Sequence, residues 1–306
     1  MGADRLLMAV PLSIKNDHFG VMLIEETENG RRFRSRRIEI INGIAQQAAL
    51  AIQNDLLQQE MVVRERLETE VQLARQIQQT FIPQALPEHP AWQLAARWRT
   101  ARQVGGDFYD VIELPNKKLG IFIADVADKG MPAALFMALT RTLVRAAVIE
   151  TTSPAEALSR VNDLLLPDTQ QGMFVTAVYG ELDLEEGKFT YVNAGHNPPF
   201  WVRANGEIEK LTRTAIALGV MDQPNIQERA ISLAYGDKLL LYTDGLTEAF
   251  SAEGDLFGDA RLAEALTATH SHTANEVILT VEEHLNEFIG IVPLGDDLTM
   301  LAIRRV

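Results

Sequence analysis

Two short apolar stretches open the chain, residues 6–14 (LLMAVPLSI) and 19–25 (FGVMLIE), separated by the polar residues Lys15 to His18. Apolar runs of this length flanked by turn residues predict a pair of strands. A basic stretch from Arg31 to Arg37 then leads into a helix predicted to begin near Ser35. Between Ile38 and Ile82 there is no proline and a single glycine, Gly43. Apolar residues recur there at three- and four-residue steps, including Leu56, Val63, Leu67, Val71, Ile77 and Phe81. So long a run exceeds an ordinary globular helix and predicts a coiled coil or signalling helix. Polar Gln59 at a seam position and the four-residue step from Val63 to Leu67 predict a stutter in the heptad. The seam is narrow and its flanks are charged, which predicts a homodimer through residues 38–82; packing on its own domain is the alternative. Pro83, Pro87 and Pro90 end the helix and mark a boundary.

From Trp92 onward the pattern changes. β-rich segments are predicted at 93–98, 108–114, 119–125, 173–184, 188–193, 199–203, 207–211, 228–233, 238–243 and 298–304, and helices at 132–149, 154–166, 259–268 and 274–289. Strands in runs with helices in pairs predict an α+β layered domain built on antiparallel sheets.

Composition narrows the function classes. The 306 residues suit one large domain and a smaller one, and 47% hydrophobic with 23% charged residues is globular. With no cysteine, a disulfide framework, a thiolate zinc site and a cysteine nucleophile are excluded. No apolar run approaches the ~20 residues of a membrane span. Met1 to Ile14 lacks a basic start and is broken by Pro11, and Leu6 stands where myristoylation favours Ser or Thr. A soluble, cytoplasmic protein is expected. Residues 1–106 carry 13 Lys and Arg against 12 Asp and Glu, whereas residues 107–306 carry 15 against 30, within a net charge of −14. An acidic half of this kind argues against nucleic-acid and anionic-membrane partners, which need cationic surface.

Four acidic clusters stand at predicted strand ends: GGDFYD (105–110), IADVADKG (123–130), YTDG (242–245) and GDDLT (295–299). Singly, each has a simple structural role. Asp-Gly favours turns, Asp128 would cap the helix starting near Met131, and Asp296 would close a turn before the last strand. Together they are harder to dismiss. Asp125 follows the apolar run LGIFIA and Asp244 follows KLLLY, so both carboxylates emerge where buried strands end. Buried anions must be paired or bind metal, and the nearby cations are only Lys129 and Arg102. An all-oxygen cluster suits Mg²⁺ or Mn²⁺ and argues against zinc.

Residues 92–306 resemble the catalytic domain of the SpoIIE/RsbU-type bacterial serine phosphatases, a branch of the PPM metal-dependent protein phosphatases. The resemblance rests on VGGDFYD (104–110), ADVADKGMPAALFMA (124–138), FVTAVYGELD (174–183), YVNAGHNPPF (191–200), ALGV (217–220), LLLYTDGLTEA (240–249) and GDDLTMLAIR (295–304). It implies a layered α-β-β-α sandwich with two divalent ions, Mn²⁺ or Mg²⁺, between the sheets. It also implies that Asp107, Asp125, Asp244 and Asp296 are the catalytic ligands, with Asp125 bridging, the Val126 carbonyl completing the set and Asp297 behind it. Two such ions acidify a water for in-line attack, so no covalent phospho-enzyme is needed. Arg102, five residues before Asp107, matches a phosphate-binding arginine of the superfamily; its fork geometry suits phosphate, and solvent exposure is the alternative.

The chain departs from the family at two points. Ala127 replaces the histidine of eukaryotic members, leaving the leaving-group acid unassigned, and Ala127-Asp128 replaces the usual Ser-Gly, with Asp128 read as a helix cap. His196 and Asn197 are read as parts of a rigid turn, and the Met-rich 131–137 segment as core. Residues 1–55 resemble the C-terminal part of a GAF sensor domain, giving the order GAF-like fragment (1–55), helical coiled-coil linker (56–90) and phosphatase (91–306). The implied activity is a serine/threonine phosphoprotein phosphatase acting on a STAS-domain, anti-anti-sigma-type partner under sensor control. An inactive scaffold of the same fold and a different two-metal hydrolase are the competing classes.

Overall fold

The computed structural model describes residues 6–26, 35–169 and 172–306, so the basic stretch is described only from Ser35. The chain forms two compact units, Met1–Val71 and Gln72–Val306.

In the first unit, β1 (Leu6–Ile14) and β2 (Asp17–Glu26) form an antiparallel hairpin. Its turn is tighter than the four polar residues suggest. Ile14 pairs with Asp17, which leaves Lys15 and Asn16 at the tip, with Lys15 at φ 52°. Helix α1 (Ser35–Phe81) runs without interruption for 47 residues across the boundary between the units. Arg64–Glu68 and Arg66–Glu70 are i,i+4 ion pairs along it. Such exposed pairs add only a few tenths of a kcal/mol each, so they favour the helix without accounting for its length. Leu56, Met61, Val63 and Leu67 on α1 are each at least half exposed.

The second unit holds two five-stranded antiparallel sheets. The first comprises β4 (Phe108–Leu114), β5 (Lys118–Val126), β6 (Val175–Asp183), β7 (Lys188–Ala194) and β10 (Arg229–Ser232), in the order β10-β7-β6-β5-β4. The second comprises β3 (Trp92–Arg99), β8 (Phe200–Val202), β9 (Ile208–Lys210), β11 (Lys238–Tyr242) and β12 (Leu298–Arg305), in the order β3-β12-β11-β8-β9. Helices α2 (Met131–Glu150) and α3 (Pro154–Leu165) pack on the first sheet, and α5 (Gly258–Thr267) and α6 (Ala274–Ile289) lie on the side of the second.

Side chains in a strand alternate between faces, and in the second sheet that alternation divides the core. Leu239 and Leu241 of β11 and Leu301 and Ile303 of β12 join the first sheet's Ile121, Ile123 and Val178. Leu240, Tyr242, Met300 and Ala302 face the other way, onto Leu262, Val281 and Leu285 of α5 and α6. The result is an α-β-β-α layering.

Helix starts follow ordinary capping chemistry at α3, where Ser153 accepts from the Glu156 N–H, and at α6, where Thr273 and Glu276 form a capping box. At α2 the expectation fails. The cap is Gly130, and the Asp128 carboxylate accepts from the Lys129 N–H instead, so Asp128 does not cap α2. Length and composition alone would let α2 cross a bilayer, contrary to the expectation that no run is long enough. Its apolar residues are accounted for in the core, where Ala133, Phe136, Met137, Val144 and Val148 are buried. The 131–137 segment is core only in part: Ala133, Ala134, Phe136 and Met137 are buried, whereas Met131, Pro132 and Leu135 are exposed. Buried Asp110 on β4 accepts from Arg145 at 2.6 and 2.7 Å and lies 3.2 Å from Arg141, which fastens α2 beside the strand that follows Asp107.

Candidate active site

Each acidic cluster stands where a strand starts or ends. Asp107 immediately precedes β4 and Asp125 is the penultimate residue of β5, its neighbour in the first sheet. Thr243 and Asp244 follow β11, and Asp296 and Asp297 precede β12, its neighbour in the second. The topology therefore gathers residues from positions 107 to 297 at one end of both sheets.

Hydrogen bonds across the sheets lock the gathering in place. Asp107 is buried, and its Oδ2 accepts from the hydroxyls of Thr243 at 2.6 Å and Thr299 at 2.8 Å. Asp297 accepts from the Ala101 N–H at 2.8 Å and the Gly106 N–H at 2.9 Å, holding the loop that leads into Asp107. Gly105 and Gly245 are required by this closeness rather than by turn geometry. A Cβ on Gly105 would strike the Asp297 carboxylate, and one on Gly245 would strike the Asp297 carbonyl oxygen. The Asp-Gly at 244–245 is accordingly no turn; it opens a one-turn helix, α4 (Asp244–Thr247).

The loop has a further clamp that the sequence did not disclose. Gln78, near the end of α1, is buried; its Nε2 donates to the Gly105 carbonyl at 2.6 Å while its Oε1 accepts from the Gly105 N–H at 3.1 Å. Within a helical run, a polar residue carries no sequence signal of such a role. Val126 lines the same cleft, and its carbonyl accepts from the Asp128 N–H at 2.8 Å, which leaves its second lone pair.

The electrostatics are those of a cluster short of positive charge. Burial, then Asp125 and Asp297, pushes Asp107 well above the usual carboxylate range, against the two threonine hydroxyls. Asp125 is raised from 3.8 to about 7, chiefly by burial and then by Asp244. Asp244 is raised to about 6 by burial, Asp296 and Glu248. Lys129 lies 2.5 Å from Asp296 and supplies one compensating charge. Arg102 is exposed and lines a narrow cavity with Asp125, Lys129 and Asp296. Among the described residues, no three acidic or histidine side chains are already drawn closely enough to hold an ion directly. Instead Asp125, Asp244 and Asp296 border a cleft of about 470 Å³. Oxygen-only donors with excess negative charge fit a hard divalent cation, and Mg²⁺ in particular retains waters between itself and its ligands.

The NAGHN segment forms the expected rigid turn. Gly195 has φ 73°, the buried His196 N–H donates to Asn193 Oδ1 at 2.9 Å, and His196 Nδ1 lies 2.8 Å from the Thr176 hydroxyl. Burial lowers His196 to about 3, so its ring is neutral at pH 7. Arg97 and Arg99 of β3 both pair with Glu282.

Residues 115–306 match the family model described as Stage II sporulation protein E (SpoIIE). The chain belongs to the SpoIIE family. Three of the four aspartates lie inside the matched residues, and Asp107 lies ahead of them. Protein IcfG of Synechocystis is 34% identical over 77% of this chain, and the alignment covers 41% of IcfG. Phosphoserine phosphatase RsbU of Bacillus subtilis is 26% identical over 79% of this chain and 72% of its own length. Among solved structures, the SiaA-PP2C domain of Pseudomonas aeruginosa superposes with a TM-score of 0.70 at 24% identity, over 80% of this chain and 99% of that one. The second unit has the PPM phosphatase fold.

Two expectations follow from this geometry. Because Asp125 and Asp244 are raised from 3.8 to about 7 and about 6, the folded chain without cations binds more protons than the unfolded chain between those values. In chelator, stability should therefore be greatest below about pH 4 as far as these groups are concerned, and their contribution should fall as pH rises to about 7. Saturating Mg²⁺ should flatten that loss, which thermal melts across the range with and without the cation would reveal. Gln78→Ala should leave the Gly105 N–H and carbonyl unsatisfied, at about 1–3 kcal/mol for each group. It should also weaken cation-induced stabilisation; a melt and a Mg²⁺ titration indistinguishable from wild type would contradict the clamp.

Proposed function

We propose that this chain hydrolyses phosphoserine or phosphothreonine on a regulatory protein in a reaction that depends on two divalent cations, Mn²⁺ or Mg²⁺. The observation that carries the reading is the convergence of Asp107, Asp125, Asp244 and Asp296 at one end of both sheets, with burial opposing the ionisation of the first three. These four carboxylates and the Val126 carbonyl would hold the ions. Bound there, divalent cations neutralise phosphoryl charge and acidify an attacking water.

The chain's own residues contribute orientation and charge. Thr243 and Thr299 fix Asp107 Oδ2 and thereby aim the carboxylate. Asp297 and Gln78 hold the loop on which Asp107 sits. Lys129 moderates the repulsion around Asp296. Arg102, on the rim of the narrow cavity, offers a fork suited to phosphate oxygens. Asp128, free of a capping role, borders the same cavity and the cleft.

The substrate we favour is a STAS-domain, anti-anti-sigma-type phosphoprotein in the cytoplasm; the name of the RsbU relative, a phosphoserine phosphatase, supports the phosphoserine chemistry. In the same reading residues 1–55 are the end of a GAF-like sensor, residues 56–90 a linker and residues 91–306 the catalytic domain. The exposed apolar residues Leu56, Val63 and Leu67 on α1 support a coiled-coil homodimer through residues 38–82 that relays the sensor state.

Turnover of an aryl phosphate ester and of a phosphoserine peptide should vanish in chelator and return with Mn²⁺ or Mg²⁺. Asp125→Asn and Asp244→Asn should each lose at least about a hundredfold, since changes behind metal ligands already cost up to that much. Near-wild-type turnover in either variant would refute the reading. Leu67→Lys should shift the sedimentation of the chain toward monomer and alter its activity; no change in either would remove the dimer.

A further inference from the structure

The cleft of about 470 Å³ that borders Asp125, Asp244 and Asp296 has another wall, formed by Phe174, Thr176, Gly195, Asn197 and Arg213. Arg213 is exposed, yet its base is anchored. Its Nε donates to the His196 carbonyl at 3.1 Å, and no carboxylate among the described residues lies within ion-pair distance of it. The carbonyl it leans on belongs to a buried, hydrogen-bonded segment beside the cleft. His196 is 1% exposed, its N–H is bonded to Asn193 and its ring to Thr176. The next residue is held as well, because the Thr214 N–H donates to the Asn193 carbonyl and the Thr214 hydroxyl accepts from the Asn193 N–H.

The other cations near the acids are differently placed. Lys129 also borders the cleft, but its charge is engaged by Asp296. Arg102 lines the narrow cavity and not the open cleft. Arg213 is thus a fixed guanidinium with its terminal nitrogens available, on the open side of an acid-rich site that would otherwise repel a phosphorylated substrate. A guanidinium offers paired donors that match an oxyanion. A salt-bridged lysine does not replace it.

We propose that Arg213, positioned by the Asn193–His196 turn, is a substrate-binding residue that takes an oxyanion of the incoming phosphorylated substrate. The inference rests on the phosphatase reading for the nature of that substrate. The oxyanion belongs either to the phosphoryl group or to an acidic side chain flanking the phosphoserine; the recognising chemistry is the same.

The test compares wild type, Arg213→Ala and Arg213→Lys on an aryl phosphate ester and on a phosphoserine peptide with acidic flanks, in saturating Mn²⁺. Losing a charged, paired contact should raise KM about ten- to a hundredfold in Arg213→Ala, with a smaller fall in kcat. Arg213→Lys should recover part of the loss. A rise with both substrates assigns the phosphoryl group, and a rise with the peptide alone assigns the flanking carboxylate. An unchanged KM for both substrates overturns the proposal, and so does an equal loss in kcat with KM untouched. Binding of a fluorescent phosphoserine peptide, measured by anisotropy in the same three proteins, separates this inference from the activity. Wild type without turnover refutes the phosphatase reading alone if Arg213→Ala still weakens binding. Equal binding by wild type and Arg213→Ala refutes the role of Arg213.

Discussion

Asp107 leads into a strand of the first sheet, yet both side-chain hydrogen bonds to its Oδ2 come from the second, through Thr243 and Thr299. A buried carboxylate is tolerable only where donors or cations compensate it. Two hydroxyls offset part of the cost, and burial together with Asp125 and Asp297 still pushes Asp107 well above its usual range. The bonds that satisfy this one carboxylate also pin the two sheets together at the end where Asp125, Asp244 and Asp296 emerge. Assembly of the site and registration of the sandwich are therefore the same event at this end of the molecule.

The tightness of that junction explains the glycines. The Asp297 side chain is wedged against Gly105 and Gly106, and its backbone against Gly245, so the loop before β4 and the start of α4 approach as closely as backbone allows. Gln78 then fills both hydrogen-bonding positions of Gly105 from the end of α1. Any rotation or displacement of that last helical turn would have to break both bonds or carry the loop with it. The contact supplies a physical handle by which a change in the helix can reach the loop that aims Asp107.

The acids and the cations divide the labour around the cleft. Carboxylates crowd one side, where burial and neighbouring acids oppose the ionisation of Asp107, Asp125 and Asp244. Lys129 is engaged by Asp296, and Arg213 stands on the other wall upon the Asn193–His196 segment, where the His196 N–H is bonded to Asn193 Oδ1. His196 fits this division, since burial keeps its ring neutral and its place in the structure is to fix a carbonyl.

Much of this was legible in the chain. Short β-rich apolar segments located the strands of both sheets, and many of those strands are buried along nearly their whole length because helices cover the outer faces. The proline-free run to Phe81 announced α1, and aspartates following LGIFIA and KLLLY pointed to carboxylates at buried strand ends. What the chain could not disclose was long-range pairing. That Thr299 reaches Asp107 across 192 positions, that Gln78 clamps Gly105, and that Arg213 faces the acids all depend on how the sheets and loops close. Local signals also misassigned Asp128 as a cap, and the turn that Asp-Gly favours at 244–245 does not form. Capping and turn propensities are set by neighbours within a few residues, whereas these positions answer to backbone brought in from elsewhere. Sequence by itself determined the elements and the kind of chemistry; the tertiary structure decided which groups meet, because contacts between distant segments leave no periodic trace in the order of residues.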